Sequence, residues 1–247
     1  MKRNFQLLKE RYLPDLPKAL PLIPDTNLTW QDLIKRDAYL KIFLNKEISV
    51  NIEEKVDGSS VAITLLDDQV LVRNKDKILV KGFLSDKPSK KQYAHIWNWV
   101  YENIQKFKKL NELQGGCTVY GEWMWMQHGL EYNKLPSWFI AFDIYQHSNA
   151  RFLIPQLTRD LLNKANFSTS PLISDLRYEN YHDYVNLTNG QSAFTDLGNR
   201  EGVYIKLTDS KNEVFRFKLV RTDFVRGALF SDRVIKNKVY KLSSDSQ

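Results

Sequence analysis

The spacing of apolar and polar positions divides the chain into regions of different character. Residues 1–50 are mixed and punctuated by Pro14, Pro17, Pro21 and Pro24, with a short helix expected near Thr29 to Arg36. From Ser49 the pattern shortens into β-prone runs, which predict strands at Val50–Glu54, Val61–Leu66, Val70–Asn74 and Ile78–Val80. Asp57-Gly58 and Asp67-Asp68 supply turn chemistry between them. After the polar stretch Ser85 to Gln92, apolar residues fall at Tyr93, Ile96, Trp97, Val100, Ile104 and Phe107. This is a helical stripe that Gly115-Gly116 should end, with its aromatics in the core. Strands return at Thr118–Trp123 and Trp138–Tyr145, a helix at Gln156–Ala165, and strands at Gly202–Leu207 and Val214–Leu219. The order predicts an α+β fold of antiparallel sheets with flanking helices.

Composition narrows the chemistry. A chain of 247 residues with 43% hydrophobic and 13% aromatic content can bury a large core. A single domain over 1–247 is expected, with 1–50 as a lead-in and 222–247 as a short basic tail. No stretch approaches the roughly 18 consecutive apolar residues of a membrane helix, and charges interrupt Met1 to Glu10 before a signal-like apolar run forms. A cytosolic protein is the expectation. Cys117 is the single cysteine, so no internal disulfide or thiolate cluster can form. His95, His128, His147 and His182 lack ligand spacing, which argues against a zinc site or a histidine relay. Chemistry is thus left to lysine, arginine and carboxylates. A net charge of +7 favours a polyanionic partner.

One lysine stands in a suggestive place. In Glu54-Lys55-Val56-Asp57-Gly58-Ser59-Ser60, Lys55 ends a strand beside a tight turn, which can aim an amine at a ligand. Alone, the segment equally describes a solvated lysine at a hairpin. Further segments follow in order, each setting a charge in a β-prone run: Arg73-Asn74, Tyr120-Gly121-Glu122-Trp123, Glu201-Gly202-Val203-Tyr204-Ile205-Lys206 and Phe215-Arg216-Phe217-Lys218. The series resembles the covalent nucleotidyltransferase superfamily of DNA ligases, RNA ligases and capping enzymes. That superfamily's motifs are Lys-x-Asp-Gly, a Gly-Glu pair, a Glu-Gly strand ending in Lys, and a last strand bearing Lys. The resemblance covers about Glu53 to Arg221. It is closer to phage-type RNA ligases of the RNA ligase 2 group, through Tyr120-Gly121-Glu122, Phe142-Asp143-Ile144, Glu201 to Lys206, and Lys218 to Phe224. DNA ligases and capping enzymes usually carry Arg five residues after the nucleophile. Ser60 stands there instead.

The resemblance implies an ATP-grasp-like ligase domain that uses ATP with Mg²⁺, or Mn²⁺, to join RNA with 5′-phosphate and 3′-hydroxyl ends. Lys55 would carry AMP, with Glu54, Val56 and Ser60 beside it. Glu122 would contact the ribose and share the metal with Glu201, and Phe142 would stack on adenine. Arg73 would meet the sugar or the acceptor 5′-phosphate, while Lys206, Arg216 and Lys218 would meet phosphates. A free lysine amine titrates near 10.4, so Lys206, Lys218 and the metal are expected to lower that of Lys55. The segment after Arg221 is too short for an oligonucleotide-binding domain, which leaves open whether a partner protein supplies a clamp. Nucleic acid could also meet Lys87, Lys90, Lys91, Lys106, Lys108 and Lys109, or Arg226, Arg233, Lys236, Lys238 and Lys241, though such runs are usually solvated faces. A DNA ligase, a capping guanylyltransferase and a non-catalytic RNA-binding relative remain as alternatives.

Overall fold

A computed structural model describes residues 9–21, 48–81, 91–179, 181–225, 227 and 235–240. The helix expected at Thr29 to Arg36 lies outside them, as do Lys87, Lys90, Arg226, Arg233 and Lys241. In chain order the strands are β1 (Leu20–Pro21), β2 (Ser49–Lys55), β3 (Ser59–Leu66), β4 (Gln69–Asn74), β5 (Ile78–Leu79), β6 (Cys117–Trp123), β7 (Phe139–Gln146), β8 (Arg151–Phe152), β9 (Leu172–Ser174), β10 (Gly202–Thr208) and β11 (Val214–Val220). Helices are α1 (Ile96–Glu102), α2 (Ile104–Gln114), α3 (Pro155–Lys164) and α4 (Tyr181–Asn186). The expected α+β class with antiparallel sheets is what forms. One sheet has the order β5-β4-β3-β6-β7-β8 and is antiparallel throughout. The other has the order β1-β11-β10-β2-β9, antiparallel except where β1 runs parallel to β11.

The expected helical stripe is two helices after a 3₁₀ turn at Gln92–His95. Asn103 breaks it: its backbone leaves helical geometry and its side-chain amide donates to Trp99 O. Gly115 then closes α2 in the left-handed region, as the sequence requires. Val61, Ile63, Leu65, Val119 and Phe139 of the larger sheet bury one face against Ile96, Val100, Phe107 and Leu110 of these helices. The opposite face carries a strap from the N-terminal segment. Tyr120 Oη donates to Pro14 O, Thr118 Oγ1 to Tyr12 O, and Arg73 Nη1 to Leu13 O.

Alternation in the smaller sheet separates two surfaces. Ile52, Val203, Ile205, Leu207, Phe217 and Leu219 form an apolar core with Tyr184. In-register pairs Glu53 with Tyr204, Asn51 with Lys206 and Lys206 with Arg216 set a polar surface on the other side. That surface faces the larger sheet through buried charges. Arg216 grips Asp143 of β7 with Nε and Nη2 at 3.3 and 3.2 Å. Lys206, with no exposed side-chain surface, lies 3.5 Å from Asp143 and 3.1 Å from Glu53, and donates to Phe142 O at 2.6 Å. Arg159 of α3 closes the cluster on Glu53 at 2.9 Å.

Two outcomes follow. Asp143→Ala leaves Lys206 and Arg216 buried without that partner and should cost about 3–5 kcal/mol in urea denaturation; a loss below about 1 kcal/mol would show that the charges do not depend on it. At Gly202 an added Cβ would collide with Leu219 O and Val220 Cα, so Gly202→Ala should cost about 1–3 kcal/mol. Gly198 has open space around it, and Gly198→Ala should stay within about 0.5 kcal/mol of the parent in the same assay.

Candidate active site

Lys55 ends β2, and β10 begins opposite it, since Gly202 pairs in register with Lys55. Glu201 therefore stands at the lysine's side. Its Oε2 accepts from Lys55 Nζ at 2.6 Å, with the Glu201 side chain only 3% exposed and that of Lys55 24% exposed. The turn after Lys55 is fixed from outside: Asp57 N donates to Tyr132 Oη at 2.8 Å, and Gly129 N donates to the Asp57 carboxylate. Gly58 passes against Met124 Sδ and Trp123 O, where a Cβ would clash. Asp57 and Gly58 of the motif thus act by holding the turn that aims Lys55.

Lys55 opens into a small pocket of about 80 Å³ that adjoins a wider cleft. Its walls include Leu16 from the strap, Val56, Glu122 of β6, Phe142 of β7 and Tyr204 of β10. A second cleft shares Leu16, Glu122 and Tyr204, and continues past Ser60, Arg73, Lys9 and Lys18. Ser60 is in register with Glu122 across the β3–β6 pair. Phe142 is half-buried, its ring 6.2 Å from that of Tyr204. The pocket sets the apolar surfaces of Phe142, Val56 and Leu16 beside an amine and two carboxylates.

The electrostatics at rest reverse one expectation. Burial pulls the Lys55 amine down, but the carboxylates of Glu201, Glu122 and Asp57 outweigh it and hold the amine above the ordinary lysine value. Lys206, expected to lower it, is committed to Phe142 O, Glu53 and Asp143. Arg216 is likewise committed to Asp143. Lys218 is half-buried on the same sheet face, in register with Tyr204, and lines neither cavity. Burial pushes the Glu122 carboxyl up to about 8, against the opposing pull of Lys55.

Other expected residues divide. Glu54 reaches the pocket wall, yet its carboxylate accepts from Ser192 Oγ and Ala193 N. Arg73 is buried and holds the strap: besides Leu13 O it donates to the Asp15 carboxylate, Lys75 O and Asn74 O. Lys106 lies over the Phe167 ring, Lys236 over Trp125, and Lys238 is 3.9 Å from Glu131. The sequence reading assigned no role to Tyr204, Glu53 or Asp143. Their signal was present in period-two alternation with Lys55 and Lys206, and beside Phe142.

A divalent cation fits Glu122 and Glu201. Glu122 Oε2 is buried and without a hydrogen-bond partner among the described residues, and both groups offer hard oxygen donors. Among those residues no group of three or more His, Cys, Asp or Glu could hold a metal ion alone. Mg²⁺ characteristically uses one or two carboxylates and completes its shell with water and substrate phosphates. No helix among the described residues is long and apolar enough to cross a membrane.

Comparison with solved structures shows the same fold. RNA ligase from Naegleria gruberi with PPi aligns at TM-score 0.56 and 21% identity, covering 87% of this chain and 59% of that one. A mutant of that ligase with ATP and Mn aligns at TM-score 0.53 and 21% identity, covering 87% and 59%. Another with AMP and Mn gives 0.54 and 20%, covering 87% and 60%. The chain thus spans about three fifths of the length of these ligases. No curated protein matches it. The family model described as RNA ligase matches residues 48–220, from the start of β2 to the end of β11, and so takes in Lys55, Glu122, Glu201 and Lys218. The chain belongs to the RNA ligase family.

Proposed function

We propose that this chain is an ATP-dependent RNA ligase working through a lysyl-AMP intermediate. The observation that carries the reading is Lys55 itself: the one lysine among the described residues that line the pocket, paired with Glu201 and sharing the wall with Glu122 and Phe142. Membership of the RNA ligase family supports the reaction class. The likeness to Naegleria ligase structures with ATP, AMP and Mn supports the nucleotide and a divalent cation.

In the first step the neutral amine of Lys55 bonds to the α-phosphorus of ATP while the bond from that phosphorus to the bridging oxygen breaks. Pyrophosphate leaves with the electron pair. The amine must first lose its proton, which the resting carboxylates oppose. Glu201 and Glu122 would hold Mg²⁺ or Mn²⁺, whose charge would offset theirs and stabilise negative charge on the phosphate. Once their field is offset, burial lowers the lysine's pKa. Phe142 and Val56 pack the adenine, and Glu122 lies within reach of the sugar. AMP then passes from Lys55 to a 5′-phosphate, and a 3′-hydroxyl attacks that phosphate to seal the break and release AMP.

Lys206 and Arg216 act on phosphate at most through the sheet they anchor. Lys218, in register with the pocket residue Tyr204, is the proposed phosphate contact of the last strand. Arg73 borders the cleft that adjoins the pocket, and an acceptor phosphate would replace the exposed carboxylate of Asp15 on it.

Incubation with α-labelled ATP and Mg²⁺ should label the parent protein covalently. Lys55→Ala should lose the label while still unfolding cooperatively, and Lys55→Arg should lose it equally because a guanidinium stays protonated. Glu201→Ala should slow labelling by about 10². Label persisting in Lys55→Ala would refute the assignment of the nucleophile.

The RNA preference rests on the family and on Ser60. A 2′-hydroxyl donates, accepts and biases a strand toward A-form geometry, all of which a protein can read. Nicks differing only in ribose or deoxyribose at the 3′-hydroxyl side, compared at fixed salt, should be sealed faster with ribose. Equal or faster sealing of the all-DNA nick would instead make the chain a DNA ligase.

A further inference from the structure

We propose that Tyr204 reads the sugar of the bound nucleotide, its phenol donating a hydrogen bond to a ribose hydroxyl. The proposal rests on the nucleotide-binding reading of this pocket. Three buried oxygens of the residues at its wall have no hydrogen-bond partner among the described residues; Glu53 Oε2 is ion-paired to Lys206 at 3.1 Å, which leaves Tyr204 Oη and Glu122 Oε2. Both residues border the pocket and the adjoining cleft. A buried hydroxyl left unsatisfied costs free energy, and one retained at a cavity wall is what a ligand group would satisfy.

The partner's chemistry follows from the surroundings. Tyr204 Oη can donate, and the carboxylate of Glu122, when ionised, only accepts. A sugar hydroxyl that accepts from one and donates to the other satisfies both. Asp143 and Glu53 are paired with Arg216, Lys206 and Arg159, so Glu122 Oε2 is the acceptor left at this wall. Burial keeps the phenol well above its ordinary pKa, so it remains a neutral donor at all working pH values.

Position agrees with the chemistry. Tyr204 pairs with Glu53, two residues before Lys55 on the same face of β2, which is about 7 Å along the strand. On its other side the Phe142 ring is 6.2 Å away. A nucleotide with its α-phosphate at Lys55 and its base against Phe142 brings its sugar to Tyr204. Lys206, with Nζ 5.7 Å from the Tyr204 ring, and the buried strand around it keep that ring in place.

The test compares labelling from ATP, 2′-deoxyATP and 3′-deoxyATP by the full chain and by Tyr204→Phe. The parent should prefer ATP over at least one deoxy analogue by about tenfold, and Tyr204→Phe should reduce that preference to within about twofold by slowing ATP alone. Removing an unsatisfied hydroxyl should leave the ligand-free protein's melting temperature equal or higher, so slower labelling cannot be charged to misfolding. An unchanged ATP-to-deoxyATP ratio in Tyr204→Phe, or a parent that uses all three nucleotides equally, would overturn the role of Tyr204 while leaving the ligase reading intact. Absence of label from every nucleotide in the parent would overturn the ligase reading itself, and this proposal with it.

Discussion

The contact of Asp143 with Arg216 and Lys206 sets the distance between the two sheets, and the site depends on that distance. Asp143 stands on β7 of the larger sheet, and the two cations on β11 and β10 of the smaller one. With Lys206 fully buried, neither sheet can shift without exposing or orphaning a charge. Such a cluster is a poor source of net stability, because desolvation consumes most of its Coulomb energy. Its contribution is geometric. Phe142, next to Asp143, and Tyr204, two residues before Lys206, are carried by the same strands into the pocket wall. The pocket is the space beside the cluster, and its width is fixed by charges that only one spacing satisfies.

The same polar surface sets the resting state of Lys55. Burying an amine lowers its pKa, but burying it among carboxylates raises it again, and here the carboxylates win. Lys55 therefore rests as an ion pair with Glu201, held in position and protected from reacting. Depressing its pKa with neighbouring lysines would have left a cluster of like charges with no ligand to offset them. In this fold the cations are instead paired off against Glu53 and Asp143 one or two residues away, and the carboxylates are left facing Lys55. Whatever offsets those carboxylates removes the force that keeps the amine protonated, so on the proposed mechanism the reactivity of Lys55 is tied to what enters the pocket.

Most of the fold was legible from local pattern, and the exceptions share a cause. The long strands alternate and the helical stripe has its period, so both announce themselves. The strands β8 and β9, of two and three residues, are defined by the neighbours they pair with and carry no pattern of their own. The break at Asn103 depends on a side chain competing for Trp99 O, which periodicity does not register. The proline-rich lead-in looked like mere approach to the domain. In the fold its residues 12–16 cross the larger sheet and supply Leu16 to the pocket, through contacts spanning more than a hundred residues of sequence.

The site was legible to the extent that chemistry and packing coincide in one segment. Lys55, Glu122 and Glu201 each lie beside a glycine or turn that the backbone requires, so a short motif carries both the reactive group and the means of placing it. Lys206 and Arg216 looked equivalent to them by motif and are not equivalent by position. Their cross-strand register turns them onto Asp143 and Glu53, and register between β10, β11 and β7 is a property of the assembled sheets. Tyr204 was hidden for the opposite reason: a tyrosine in an apolar strand reads as core until the strand's other face proves to be polar. Asn51, Glu53 and Lys55 already alternate with Val50 and Ile52 in β2, which marks that face as the one the site would use. Applied to β10 through antiparallel pairing, the same alternation puts Tyr204 and Lys206 on that face, and only the partner sheet decides which of the two is sealed and which meets the ligand.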